Sequence, residues 1–211
     1  MPALTPEFIA IWIAWLMAGG SPGPATMGIA GTAMSEGRRS ALAFALGILA
    51  GSASWGIAAA LGLSAVMLAN VWVFELLRYA GAAYLAWLAL KAAKRAMNAD
   101  ATAPAGTPFK GSFGALFAKG TAVHITNPKA ILSWASIYAI VAPADATPTT
   151  LFGYFCALFA GSILIFIGYA FLFSSPAIVR GYSRASRIFD LAFAGFFGFA
   201  AFKILTARLE T

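Results

Sequence analysis

The chain has 211 residues, 61% of them hydrophobic and 10% charged, with mean hydropathy +0.84, net charge +7 and pI ≈ 9.9. Soluble domains carry about 25% charged residues, so a soluble core is excluded and the composition is that of a membrane protein. The cations sit at the ends of apolar segments, where they read as topology signals and lipid contacts rather than as a nucleic-acid surface.

A transmembrane helix needs about 20 apolar residues, and six segments are expected. The first, residues 7–30, follows an N-terminus without a basic region and with Glu7, so it reads as a retained membrane segment rather than a signal peptide. It is interrupted by Ser21-Pro22-Gly23-Pro24, just after Gly19-Gly20. Proline inside a helix removes a backbone donor and costs about 3 kcal/mol or more. A doubled proline with this much glycine exceeds a simple kink.

The second segment, 41–68, carries Gly47-x-x-x-Gly51 and then Ser52, Ser54 and Gly56. Small residues let helices approach closely, so helix packing is one reading of the stripe. The other turns Ser52 toward a cavity. The third segment spans 72–93. Residues 97–112, "MNADATAPAGTPFKGS", read as a flexible linker.

The fourth segment, 113–141, is interrupted by Asn127-Pro128-Lys129. Lys129 has two readings. It lies inside the membrane facing freed carbonyls or a substrate carboxylate, or the helix starts at Pro128 and Lys129 anchors at the cytoplasmic surface. His124, the single histidine, reads as an interfacial residue at a helix end, with a proton relay as the alternative. Trp55 and Trp134 lie inside segments, where core packing is the first reading and a place in the cavity wall the second. The fifth segment, 150–174, holds the single Cys156, read as a packing residue. The sixth spans 188–207. No acid is expected in the middle of a segment.

The connections alternate in charge. Arg38 and Arg39, then Lys91, Lys94, Arg95, Lys110 and Lys119, then Arg180, Arg184 and Arg187 fall in the odd ones. Positive loops stay cytoplasmic, so both termini are expected to be periplasmic. The halves also match in order. Each has a proline-broken first helix, an Ala-Gly-Ser tripeptide in its second (50–52, 160–162), and an acid–base pair in its third (Glu75/Arg78, Arg187/Asp190). Three helices per half require inversion. The expected organisation is a three-helix repeat over 1–96, a cytoplasmic linker over 97–112 and a second repeat over 113–211, within one all-α transmembrane domain.

In lipid an unpaired backbone group costs several kcal/mol, so broken helices survive only against protein or a wet cavity. Two of them in inverted halves point to a transporter site. A half-helix N-terminus suits a carboxylate and a C-terminus suits an ammonium. The candidate substrate-binding set is Ser21, Pro22, Gly23, Pro24, Thr26, Ser52, Asn127, Pro128, Lys129 and Ser162. Ser21–Pro24 and Thr26 are expected to bind through backbone N–H groups. No cluster of metal ligands, no phosphate-binding loop and no cysteine pair is present in the sequence, so neither cofactor nor metal, enzyme chemistry nor thiol redox is expected.

Pro22-Gly23-Pro24, "SEGRRSALAFALGILAG", "GAAYLAWLALK" and "TNPKAILSW" together resemble the LysE/RhtB family of bacterial amino-acid exporters over nearly the whole chain. The resemblance implies a multi-pass inner-membrane exporter of amino acids or related small metabolites, with about six helices and often a dimer. Two positions depart from the family pattern. Ala25 follows Pro-Gly-Pro where an asparagine is usual, and no aspartate lies near Ser52. A neutral substrate therefore fits better than a cationic one such as lysine. The expected drive is the proton gradient; a passive channel and an exporter of a non-amino-acid solute are the alternatives.

Overall fold

A computed structural model describes residues 5–69, 71–97, 108–141 and 146–206. Most of the expected linker 97–112, together with Asp145, Arg208 and Glu210, lies outside the described residues, as do the side chains of Glu75, Arg78 and Lys203.

Every described element is a helix: α1 Pro6–Gly20, α2 Pro24–Ala69, α3 Val71–Met97, α4 Phe113–Ile125, α5 Pro128–Val141, α6 Pro148–Leu172 and α7 Pro176–Thr206. Five of these begin on a proline. At the first helical position proline loses nothing, because that N–H has no partner in any case, and its fixed φ suits the helix. The residue before each proline is pushed to extended backbone. Thr5 (ψ 155°) and Thr147 (ψ 157°) adopt that geometry and cap α1 and α6 through their hydroxyls. Ser21 (ψ 145°) does the same where α1 ends ahead of Pro22.

Within α2 the backbone turns at Gly37, whose φ of 80° and ψ of 178° are non-helical. That region is open to glycine alone. It divides α2 into an inner stretch, 24–36, and a long stretch, 38–69. Two helical stretches, Pro24–Gly62 and Pro148–Leu172, are long and apolar enough to cross a membrane, and Phe8–Gly20 is a shorter apolar helix.

Helix α2 packs against α4 and α6, and α3 packs against α7. The α2–α4 contact is backbone on backbone. A Cβ on Gly47 would strike the Phe117 carbonyl, and one on Gly120 would strike the Phe44 carbonyl. A Cβ on Gly51 would come within 2.9 Å of His124 Cβ. The small-residue stripe of the second segment is thus a packing surface for α4. One apolar cluster (Ile29, Phe44, Ile48, Leu116, Phe166) lies between α2, α4 and α6. A second (Trp15, Trp134, Tyr138, Leu151, Leu158) joins α1, α5 and α6.

Two expectations need correction. The helix of the sixth segment starts at Pro176 rather than 188, because Pro176 opens a helix that the basic stretch 176–187 continues. Asp190, near the start of the expected segment, therefore lies midway along α7 and is buried at 7% exposure. It pairs with Arg95 of α3, while Arg187 is exposed. Cys156 is exposed on α6 rather than packed.

Candidate functional site

Where α1 stops, its last carbonyls need donors from outside the helix. Ser21 N–H reaches Met17 O at 2.9 Å, and the Ser21 hydroxyl donates to Ala18 O at 2.9 Å. Tyr169, from α6, donates its hydroxyl to Gly20 O at 2.5 Å. Lys129, from α5, donates Nζ to Ser21 O at 2.7 Å and to Ser21 Oγ at 2.6 Å. A cation at a helix C-terminus is favoured by the dipole.

The turn is closed by Thr26. Its hydroxyl accepts from Gly23 N–H at 3.0 Å and faces the carbonyls of Ser21 and Gly23 at 3.3 Å. This corrects the expectation for Ser21–Pro24. The prolines have no N–H, and the N–H groups of Ser21 and Gly23 are already used within the break. The first-turn N–H groups of Ala25 and Thr26 have no acceptor among the described residues.

Between α4 and α5 the chain leaves the helix at Thr126 and Asn127. Thr126 N–H bonds to Ala122 O at 3.0 Å, and Asn127 N–H bonds to His124 O at 3.1 Å. Asn127 caps α5, with Oδ1 accepting from Lys129 N–H at 3.0 Å. Trp55 Nε1, from α2, donates to Ile125 O at 3.2 Å. Each interrupted end is thus covered by an aromatic donor from a distant helix, Tyr169 on Gly20 and Trp55 on Ile125.

The two interruptions face one cavity. It is lined by Gly23, Thr26, Ser52, Asn127, Lys129 and Ser162 from the candidate set, with Trp15, Ala25, His124, Ser133 and Trp134 among the other walls. Ser21 touches it through Lys129. Pro22 lines a smaller cavity on the other side of Thr26, and Pro24 and Pro128 open their helices without lining either. The main cavity holds about 40 Å³, room for a few waters at about 10–15 Å³ each. An amino acid needs its walls to move.

Lys129 faces inward rather than anchoring at the surface, because α4 precedes it and carries the chain into the bundle. Among the described residues no carboxylate pairs with it. An ammonium has three N–H donors, and two are used. His124 is likewise not interfacial. It is buried against Phe166 at 5.5 Å, and its Nδ1 has no hydrogen-bond partner among the described residues. The reason is the same: the C-terminus of α4 lies inside the bundle.

Ser52 and Ser162 both line the cavity. Each accepts from an indole at 3.1 Å: Trp134 Nε1 to Ser52 Oγ, and Trp15 Nε1 to Ser162 Oγ. Trp134 and Trp15 are therefore both wall residues, which is the second reading of Trp134 and an unexpected role for Trp15. Their signal in the sequence was weak, since tryptophan inside an apolar run reads as packing.

A family model described as LysE type translocator matches residues 16–208. The Threonine efflux protein of Escherichia coli (strain K12) is 30% identical over 202 residues, covering 94% of this chain and 98% of the relative. The Threonine efflux protein of Salmonella typhi is 29% identical over the same length. The Homoserine/homoserine lactone efflux protein of Salmonella typhimurium is 31% identical over 131 residues, covering 60% of this chain and 62% of that one. No solved structure matches the chain.

Proposed function

The chain belongs to the LysE-type translocator family, a family of membrane transporters, and from that premise we propose that it exports small neutral amino acids through the cavity between its two helix interruptions. The relatives named for threonine and for homoserine efflux support a substrate of that size. Family membership makes it a membrane protein, of the inner membrane in bacteria, and a transporter rather than an enzyme.

The observation that carries the reading is Lys129. Its ammonium spans the gap to Ser21 of the other half, keeps one N–H unused, and meets no acid among the described residues. A substrate carboxylate would take that N–H together with the free N–H groups of Ala25 and Thr26, at the positive end of stretch 24–36. The α4 C-terminus, with its carbonyls beside His124 and Asn127, would take the substrate ammonium. The hydroxyls of Ser133, Ser52 and Ser162 would suit a polar side chain.

The proposal includes two inverted repeats, 1–96 and 113–211, joined through 97–112. The matched serines Ser52 and Ser162, each holding an indole at the cavity wall, support it. It also includes both termini in the periplasm, proton-gradient drive and pairing of two copies. The charge alternation of the connections supports the first of these, and the family resemblance the last.

The test is efflux from proteoliposomes preloaded with labelled neutral, basic and acidic amino acids. The expected result is saturable export with neutral species leaving fastest. Faster export of basic species, or no export of any, would overturn it. Flux that does not saturate would favour a channel.

A further inference from the structure

His124 lines the main cavity at 5% exposure, and its ring takes no part in the substrate contacts assigned so far. It sits in the last turn of α4 and is fixed there by its neighbours. The ring meets Phe166 of α6 edge-on, with centroids 5.5 Å apart and planes inclined at 77°. Against its stem, α2 presents Gly51, where a Cβ would come within 2.9 Å of His124 Cβ. The His124 carbonyl accepts from Asn127 N–H at 3.1 Å. A side chain whose place is set by packing on this scale is preorganised for a ligand.

Most other polar groups of the wall are engaged. Ser52 Oγ and Ser162 Oγ each accept from an indole. Thr26 Oγ1 closes the first break, and Asn127 Oδ1 caps α5. Lys129 spends two of its N–H groups on Ser21. His124 Nδ1 is buried with no hydrogen-bond partner among the described residues. A buried polar atom left unpaired bears its whole desolvation penalty, so a ring present only for packing would be better without nitrogens.

Every amino acid brings a carboxylate and an ammonium, and these have places at Lys129 and at the α4 C-terminus. Substrates differ in the side chain. An ammonium held by the last carbonyls of α4 brings the substrate Cα, and the side chain on it, beside His124. A hydroxyl both donates and accepts, so it pairs with an imidazole nitrogen in either tautomer, whereas a methyl group pairs with neither. The cavity, at about 40 Å³, is too small for an amino acid, so its walls part when one enters. That parting gives the substrate access to Nδ1.

We infer that His124 is the specificity-determining residue of the cavity, its imidazole hydrogen-bonding a hydroxyl on the substrate side chain. The inference rests on the exporter reading above and narrows it from small neutral amino acids to hydroxylated ones. An apolar wall discriminates poorly between a hydroxyl and a methyl of the same size. A buried group that waits for the hydroxyl discriminates well, because the analogue without it leaves that group unpaired.

Threonine and valine are the probes, since they differ by a hydroxyl for a methyl. Exchange of each labelled amino acid is measured in proteoliposomes without any gradient, as maximal rate over half-saturating concentration. The intact protein should favour threonine by about tenfold, the scale of one buried hydrogen bond. His124→Phe and His124→Leu differ in shape but share the missing nitrogens. In both, the ratio should fall to near one, chiefly through loss on threonine. His124→Gln keeps a hydrogen-bonding group and should recover part of the ratio. An intact protein that takes both amino acids equally overturns the inference. So does a ratio that survives in His124→Phe or His124→Leu. So does an equal loss of both substrates in those variants, which would make the histidine a packing residue or a partner of the ammonium. A ratio that collapses in Ser133→Ala instead gives the hydroxyl to Ser133 and overturns it as well. An intact protein that moves neither label sinks the exporter reading itself.

Discussion

Trp15 and Trp134 meet with ring centroids 4.4 Å apart and planes inclined at 57°, and each indole donates to the serine of one Ala-Gly-Ser tripeptide. The contact joins α1 to α5 in the cavity wall. Its two hydrogen bonds tie α1 to α6 and α5 to α2.

Trp134→Phe should keep most of the ring packing and lose only the N–H donor to Ser52. A lost hydrogen bond costs about 0.5–1.5 kcal/mol. Trp134→Ala would instead leave a cavity costing about 3–5 kcal/mol. Thermal unfolding in detergent should therefore rank them intact, Phe, Ala. The double Trp134→Phe/Ser52→Ala should unfold close to the Phe single variant, because both changes remove the same bond.

At Gly47 a Cβ would collide with the Phe117 backbone of α4, whereas at Gly62 it would meet nothing within 4 Å. Backbone cannot rotate aside as a long side chain can. Gly47→Ala should cost about 1–3 kcal/mol by overpacking, and Gly47→Leu should prevent recovery of folded protein. Gly62→Ala should be neutral or slightly stabilising. Yield and the unfolding midpoint of the purified protein decide between these outcomes.

Gly37 poses a different constraint. Nothing crowds it, yet its φ is +80°. Gly37→Ala should lower stability by about 1–2 kcal/mol from backbone strain alone. The diagnostic comparison is Gly37→Ala against Gly62→Ala, at a helical glycine with no positive φ and open space around it. If the two unfold at the same temperature, the turn between 24–36 and 38–69 is not what glycine is needed for.

Much of this arrangement was legible beforehand. The doubled proline at 22 and 24 and the proline at 128 announced where helices stop, because the constraint is local: a missing N–H and a restricted preceding residue. The exporter family was legible from the same motifs. The small-residue stripe at Gly47 and Gly51 announced a close helix contact, though not its partner α4. What stayed hidden depends on which residues meet through space. The sequence places Asp190 near a helix start, because three arginines precede it. Only its burial and its pairing with Arg95, 95 positions earlier, show it as an interior acid. Likewise the occupied N–H groups of the first break depend on Thr26 folding back onto Gly23. A count of freed backbone donors could not foresee that.

Lys129 offers the sharpest test of the substrate site. Lys129→Met keeps the aliphatic stem and removes the donors to Ser21. Thr26 still covers the Ser21 carbonyl at 3.3 Å, so the break should survive and the variant should fold. The loss should fall on substrate. A hydrogen bond to a charged group contributes about 1.5–3 kcal/mol, or roughly ten- to a hundredfold in affinity at 1.4 kcal/mol per decade. The substrate concentration giving half-maximal exchange should rise by that factor. Lys129→Arg should not restore it. A Cβ placed on Gly23 would lie 3.3 Å from Lys129 Cδ, so the stem already runs close to the break, and a planar guanidinium is bulkier than an ammonium. If Lys129→Met exchanges with unchanged half-saturation, the carboxylate is held elsewhere, and the free N–H groups of Ala25 and Thr26 become the place to look.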